Sequence, residues 1–319
     1  MASALKPKSD GGMIIFDQSH HDALSRDGYI ILEKFIDGDL LSRAQADLAR
    51  IFPTWQDFRD RPNDFPGIER LTKIDFPQHA ATLMAADALN DVALHPNLLD
   101  FVERLLDDPI LVGHLSLIGK YAGGEEYDQP MHVDMMSHTM VMPPDDQVDQ
   151  LSAIIYYSDV TIDLGPTRVL PFGETDAYWR DIALTDRDPF WLKASWFRDD
   201  APELYARERA VTVPAGSVLL YTVRTLHRGS AATASEGSRF TQHVGFHRRD
   251  MAWAGEKLLP LQGLHDELGR MLCRLDPRQR SVLGFPEPGN RYWTPATCAA
   301  VQRRYPEMDL DPYRQAISG

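Results

Sequence analysis

The sequence predicts a mainly β protein with flanking helices: helices first, a β-barrel or sandwich in the middle, and a helical C-terminal extension, all in one domain over residues 1–319. Three observations carry this. Apolar residues recur at helical spacing in the first hundred residues. Short apolar or alternating runs bounded by turn residues fill the span from about residue 110 to about 250. Helical or irregular patterning returns after that.

In chain order, "SHHDALSRDG" reads as a short capped helix ending at Gly28, and "YIILEKFI" (Tyr29 to Ile36) as an apolar strand. Asp37 and Asp39 precede a helix whose apolar residues Leu40, Leu41, Ala44, Leu48, Ile51 and Phe52 share one face, with Pro53 after its end. Residues 54–78, rich in Asp, Pro and Phe, read as a loop; helical patterns follow over 79–94 and 97–106. "PILVGHLSLIGKY" and "DQLSAIIYYSDV" are strand-like, and "LGPTRVLPFGE" is a turn with a short extended piece. "AVTVPAGSVLLYTV" reads as two strands around a Pro-Gly turn, and "RFTQHVGFH" alternates. Residues 174–209 carry Trp179, Trp191 and Trp196 among many charges and read as a helical insertion. Its tryptophans either anchor it to the barrel, the simpler reading, or form a lid over an apolar substrate.

Composition narrows the function. The net charge of −14 repels a phosphate backbone, so nucleic acid is not an expected partner. No apolar run approaches the roughly 18–20 residues that span a bilayer, and the polar start "MASALKPKSDGG" is not a secretion signal. Two cysteines, Cys273 and Cys298, cannot build a disulfide framework and read as buried free thiols. These facts fit a cytoplasmic protein, and leave monomer and homodimer equally open.

The stretch "QPMHVDMM" separates His132 from Asp134 by one residue, so in an extended strand both side chains project to one face. Imidazole and carboxylate suit a divalent ion such as Fe(II), Mn or Zn. The spacing alone is weak: with 11 His and 34 Asp in the chain, about one such pair arises by chance, and His20-x-Asp22 is a second. Context strengthens it. His227 follows the apolar strand after "PAG", and Arg239 opens a strand in which Arg239, Thr241 and His243 share one face and Phe240, Gln242, Val244 and Phe246 the other. A guanidinium inside a barrel needs an anion, either a protein carboxylate or that of a small molecule.

Four pieces, in order, resemble the phytanoyl-CoA dioxygenase family of Fe(II)/2-oxoglutarate oxygenases: "DGYIILEKFID", "QPMHVD", "LGPTRVLPFGET" and "PAGSVLLYTVRTLHRGS…SRF". The likeness spans about residues 25–250 and leaves the extension, about 251–319, unmatched. It implies a double-stranded β-helix (jelly roll), with His132, Asp134 and His227 as the metal ligands, Arg239 on the distal carboxylate of 2-oxoglutarate, and Gln129 and Thr167 as further cosubstrate contacts. The cofactors implied are Fe(II), 2-oxoglutarate and O2, and the reaction oxidises a substrate C–H bond with release of succinate and CO2. Because Asp134 stands where related halogenases carry a small residue, the resemblance implies hydroxylation or a related oxidation rather than halogenation. Phe172-Gly173-Glu174 departs from the family's usual Gly-Ser-His turn.

Two other functions stay open at this level: hydrolysis or isomerisation by zinc or manganese in the same barrel, and metal-free binding. Arg239 and the "GPT" segment speak against the first, and the intact set His132, Asp134, His227 and Arg239 against the second. Of the remaining residues, His243 reads as a structural histidine or a substrate contact, and His138 and His247 lie close in sequence. Lys120 reads first as a solvated edge lysine and second as a contact to an anionic group, and the acidic stretch 143–150 as a solvated loop, of a kind that often touches substrate at a barrel mouth.

Overall fold

Helix α1 (Gln18–Asp27) begins where the Asp17 carboxylate accepts the Ser19 amide and His20 reaches back to the Asp17 amide. It ends at Gly28, whose φ of 78° is open to glycine at little cost. The computed structural model describes residues 14–75, 79, 82–83, 85–123, 127–134, 149–175, 195–254, 266–282 and 285–318. Strand β1 (Tyr29–Leu32) is shorter than the predicted 29–36, because the chain turns at Lys34 (φ 54°), whose amide bonds the Ser217 hydroxyl. Helix α2 (Gly38–Ile51) is capped by Asp37, as expected, and buries Leu40, Ala44 and Leu48.

The span read as a loop, 54–78, holds regular structure. Thr54 caps α3 (Trp55–Asp60), a short 3-10 turn follows, and β2 (Leu71–Asp75) pairs with β3. A polar-rich sequence hid an edge strand that is paired on one side only. Within the 79–94 pattern residues 82–83 and α4 (Asp87–Ala93) are helical, while 80, 81 and 84 lie outside the described residues; α5 (Pro96–Leu106) follows. The β region then comprises β3 (Ile110–Tyr121), β4 (Met131–His132), β5 (Gln150–Tyr156), β6 (Thr167–Val169) and β7 (Ser195–Trp196). After α6 (Pro202–Arg207) come β8 (Arg209–Ala210), β9 (Val218–Thr222), β10 (His227–Gly229) and β11 (Ser238–Arg248). Beyond Ala210, Val211 and Val213 bond to Thr167 and Val160 as irregular chain rather than as the full strand expected.

These strands make two antiparallel sheets, ordered β1-β9-β5-β11-β3-β2 and β7-β4-β10-β6-β8. Parity sorts their side chains into three layers. Ile30, Leu32, Ala153, Ile155, Leu220, Val244 and Phe246 pack with α2, α4 and α5 on the outside of the larger sheet. Tyr29, Ile31, Ile154, Tyr156, Leu219 and Tyr221 pack with Val169 between the sheets. Met131, Val133 and Leu226 cover the outside of the smaller sheet with Leu204 and Tyr205. This is the double-stranded β-helix arrangement.

The extension is helical, as predicted: α7 (Asp266–Arg274), α8 (Pro277–Val282), α9 (Pro295–Arg304) and α10 (Asp311–Ser318). They enclose their own apolar cluster around Trp293, Tyr305 and Tyr313, in which buried Arg280 donates to the Leu272 and Asp309 carbonyls. Arg291 ties the extension to the barrel through Asp149 and Asp250. Cys298 is buried but Cys273 only half-buried; both are free thiols. Trp179, Trp191, His138 and most of the acidic 143–150 stretch lie outside the described residues. Trp196 is a β7 residue paired with Met131 and packs on the outer cluster of the smaller sheet, consistent with an anchoring role.

Candidate metal centre

His132 and His227 are direct cross-strand partners of β4 and β10, with ring centroids 4.5 Å apart. Asp134 lies just past β4, not in it. The inward parity survives nonetheless, because Met131 and Val133 both pack on the outer cluster. One ligand atom each from His132, Asp134 and His227 lies within 4.8 Å of the others. Asp134 Oδ1 is 3.9 Å from His132 Nε2 and 3.5 Å from His227 Nε2.

The remaining atoms of these side chains are already engaged in ways that aim the free ones. His132 Nδ1 is 2.9 Å from the Pro130 carbonyl and His227 Nδ1 is 3.0 Å from the Thr225 carbonyl. A carbonyl only accepts, so each Nδ1 carries the proton and each Nε2 keeps a lone pair for an ion. The Tyr221 hydroxyl donates to Asp134 Oδ2 at 3.0 Å, leaving Oδ1 facing the two imidazoles. Burial, then the neighbouring His227, pushes His132 down to about 4, so it is neutral at ordinary pH. Burial alone would raise Asp134, but His227, His132 and the Tyr221 bond outweigh it and hold the carboxyl below its usual value. Two imidazoles that aim Nε2 at one carboxylate oxygen, with no fourth protein ligand among the described residues, form a donor set suited to a divalent ion with open positions.

Arg239 sits inside the barrel, 6% exposed, with Thr241 and His243 on the same face, as parity predicted. Its guanidinium donates to the Gly165 carbonyl, while its Nε has no partner among the described residues. No described carboxylate pairs with it. The Tyr156 hydroxyl, which donates to Thr167 Oγ1 at 3.0 Å, is the neighbouring polar pair. A buried cation without a counter-ion and with an orphaned donor fits a small anionic ligand. Thr167 is therefore brought to Arg239. Gln129 is exposed, and its Oε1 accepts the Gly229 amide at the end of β10.

Three residues went unnoticed or misread in the sequence. Tyr221 and Tyr156 looked like ordinary strand residues; each lies at the same inward parity as Leu219 and Ile154, a signal available once the inner face is known. Lys120 is buried rather than solvated, because β2 covers the edge of β3. His243 is pushed down to about 3 by burial first and then by the charge of Arg239.

The family model for phytanoyl-CoA dioxygenase matches residues 24–241. Among solved structures of similar fold is SnoK, a non-heme alpha ketoglutarate dependent carbocyclase from nogalamycin biosynthesis. It is 16% identical with a TM-score of 0.53, over 76% of this chain and 87% of that one. The epimerase SnoN in complex with Fe3+, alpha ketoglutarate and nogalamycin RO is 17% identical with a TM-score of 0.51, over 72% and 83%. HygX from Streptomyces hygroscopicus, with nickel, 2-oxoglutarate and hygromycin B bound, is 13% identical with a TM-score of 0.50, over 73% and 88%. No curated protein matches in sequence. With about two thirds of its length matched by the family model, the chain belongs to the phytanoyl-CoA dioxygenase family and is a 2-oxoglutarate-dependent non-haem iron enzyme.

Proposed function

We propose that this enzyme hydroxylates a C–H bond of a small molecule, with Fe(II) held by His132, Asp134 and His227 and the distal carboxylate of 2-oxoglutarate held by Arg239. The observation that carries the reading is the convergence of three ligand atoms within 4.8 Å in a barrel that also buries a guanidinium with no carboxylate partner among the described residues. When bound, iron and 2-oxoglutarate supply the oxidation, with O2 consumed and succinate and CO2 released. The chain's own residues orient the ligands. The Pro130 and Thr225 carbonyls fix the imidazole tautomers, Tyr221 fixes the carboxylate, and Arg239 fixes the far end of the cosubstrate. Two neighbours in fold are a carbocyclase and an epimerase, which favours a second reading in which no oxygen is transferred to the product.

The test has two stages. Anaerobic titration with Fe(II) and then 2-oxoglutarate should give a weak visible charge-transfer band only when both are present; its absence overturns the cosubstrate reading. With a turned-over small molecule in hand, product formed under 18O2 should carry one label for hydroxylation. An unlabelled product supports the second reading instead.

A further inference from the structure

Lys120 and Arg239 are direct cross-strand partners on β3 and β11, so their side chains leave the same face of the sheet. Parity places that face inside the barrel, since Leu117 belongs to the outer cluster and Gly119 lies against Phe52 there. Both residues are buried, at 5% and 6% exposed. Like charges directly opposite each other are destabilising, and more so when neither has a counter-ion. The described partners of both are backbone carbonyls: Ser230 and, at 3.3 Å, Tyr127 for Lys120 Nζ, and Gly165 for Arg239. The Ser230 and Gly165 segments adjoin, because the Ser230 hydroxyl donates to the carbonyl of the next residue, Pro166, at 2.6 Å.

The other charged groups facing Lys120 are Asp128 and Arg228. Asp128 is already engaged by Arg228, by Arg198 at 3.5 Å and by the Ala231 amide. On the β2 side the residue across from Lys120 is Leu71, which carries no charge.

We propose that Lys120 is the second cation of the cosubstrate pocket, binding the distal carboxylate of 2-oxoglutarate together with Arg239 and taking up a proton from solvent as the dianion enters. This inference rests on the cosubstrate reading above. A neutral amine has two N–H groups, which match the two carbonyls it meets. The protonated form adds a third donor for the carboxylate. Burial, then the charge of Arg239, lowers Lys120 to about 7, so in the empty pocket above neutral pH it is largely uncharged. An arriving anion raises that value again. Affinity for 2-oxoglutarate is therefore greatest below about pH 7 and weakens as pH rises, by up to tenfold per unit.

The experiment is calorimetry of 2-oxoglutarate binding to the Mn(II)-loaded, anaerobic enzyme at pH 8, in two buffers of different ionisation enthalpy. Wild type should take up close to one proton per ligand. Lys120→Met should take up none and bind about tenfold or more weakly, the loss of one charge-assisted hydrogen bond. Lys120→Arg, charged at every pH, should bind without proton uptake and without the weakening above pH 7, and it serves if the methionine variant does not fold. The same affinity and proton count in wild type and either variant overturns the proposal alone. Absence of binding by wild type overturns the cosubstrate reading, and this proposal with it.

Discussion

His227 stands directly across from His132 in the β10–β4 pairing, and the two imidazoles present their Nε2 atoms to the same Asp134 oxygen. Residues 95 positions apart in the chain thus become neighbours through a single register, and the centre depends on that register as much as on the residue types. Replacing His227 with Ala should remove one of three ligand atoms and abolish 2-oxoglutarate turnover. The iron content of the purified protein should fall in parallel; full activity in this variant would sink the ligand assignment.

Tyr221 acts on the metal only through Asp134. Tyr221→Phe keeps the ring and its packing but frees Oδ2 of the carboxylate. Metal affinity should fall by about 10- to 100-fold, as is usual when a ligand loses its orienting hydrogen bond. Competition titration with Mn(II) measures this, and an unchanged dissociation constant would show that the hydroxyl does not orient the ligand.

Arg239→Met should chiefly affect the cosubstrate. Losing one partner of a buried charge pair costs about 2 kcal/mol or more, so the 2-oxoglutarate requirement should rise at least about 30-fold. Iron binding should be nearly unaffected. A variant with an unaltered KM for 2-oxoglutarate would remove Arg239 from the pocket.

The apoprotein should be acid-sensitive in a defined window. His132 and His243 are held down to about 4 and about 3, both mainly by burial, against an unfolded value near 6.5. Between those limits the unfolded chain binds more protons than the folded one, so stability falls as pH drops. The contribution is complete above pH 6.5, and its loss runs to about 1.4 kcal/mol per unit of difference for each group. Thermal midpoints at pH 7.5 and 5 should therefore separate, and His243→Asn should narrow the gap. Equal midpoints would contradict the burial of these imidazoles.

Gly28 ends α1 at a φ of 78°, and a Cβ there would lie 2.5 Å from the Phe172 ring. Gly28→Ala combines backbone strain with a clash, of order 1–3 kcal/mol for the strain alone. The Tm should drop by at least about 2 °C, whereas Gly173→Ala, with open space around it, should be close to neutral. A Gly28→Ala protein as stable as wild type would mean the turn relaxes freely.

Much of the molecule was legible in residues alone. Strand parity on "RFTQHVGFH" placed Arg239, Thr241 and His243 inside and Val244 and Phe246 outside, because side-chain alternation is a local property of extended backbone. The capped helices and the ordered motifs around His132, Asp134 and His227 were equally local. The bounds of short pieces such as β2 and β8 were not, since their structure comes from a neighbouring strand rather than from their own pattern. Lys120 is the sharpest case. Its place on a strand was read correctly but its environment was not, because burial depends on β2 lying across the β3 edge and Arg239 lying opposite. The sequence by itself determined which side chains could bind a metal and an anion, and which way each strand would face them. Only the tertiary structure decided which of them meet, because sheet register and edge coverage are set by pairing between segments far apart in the chain.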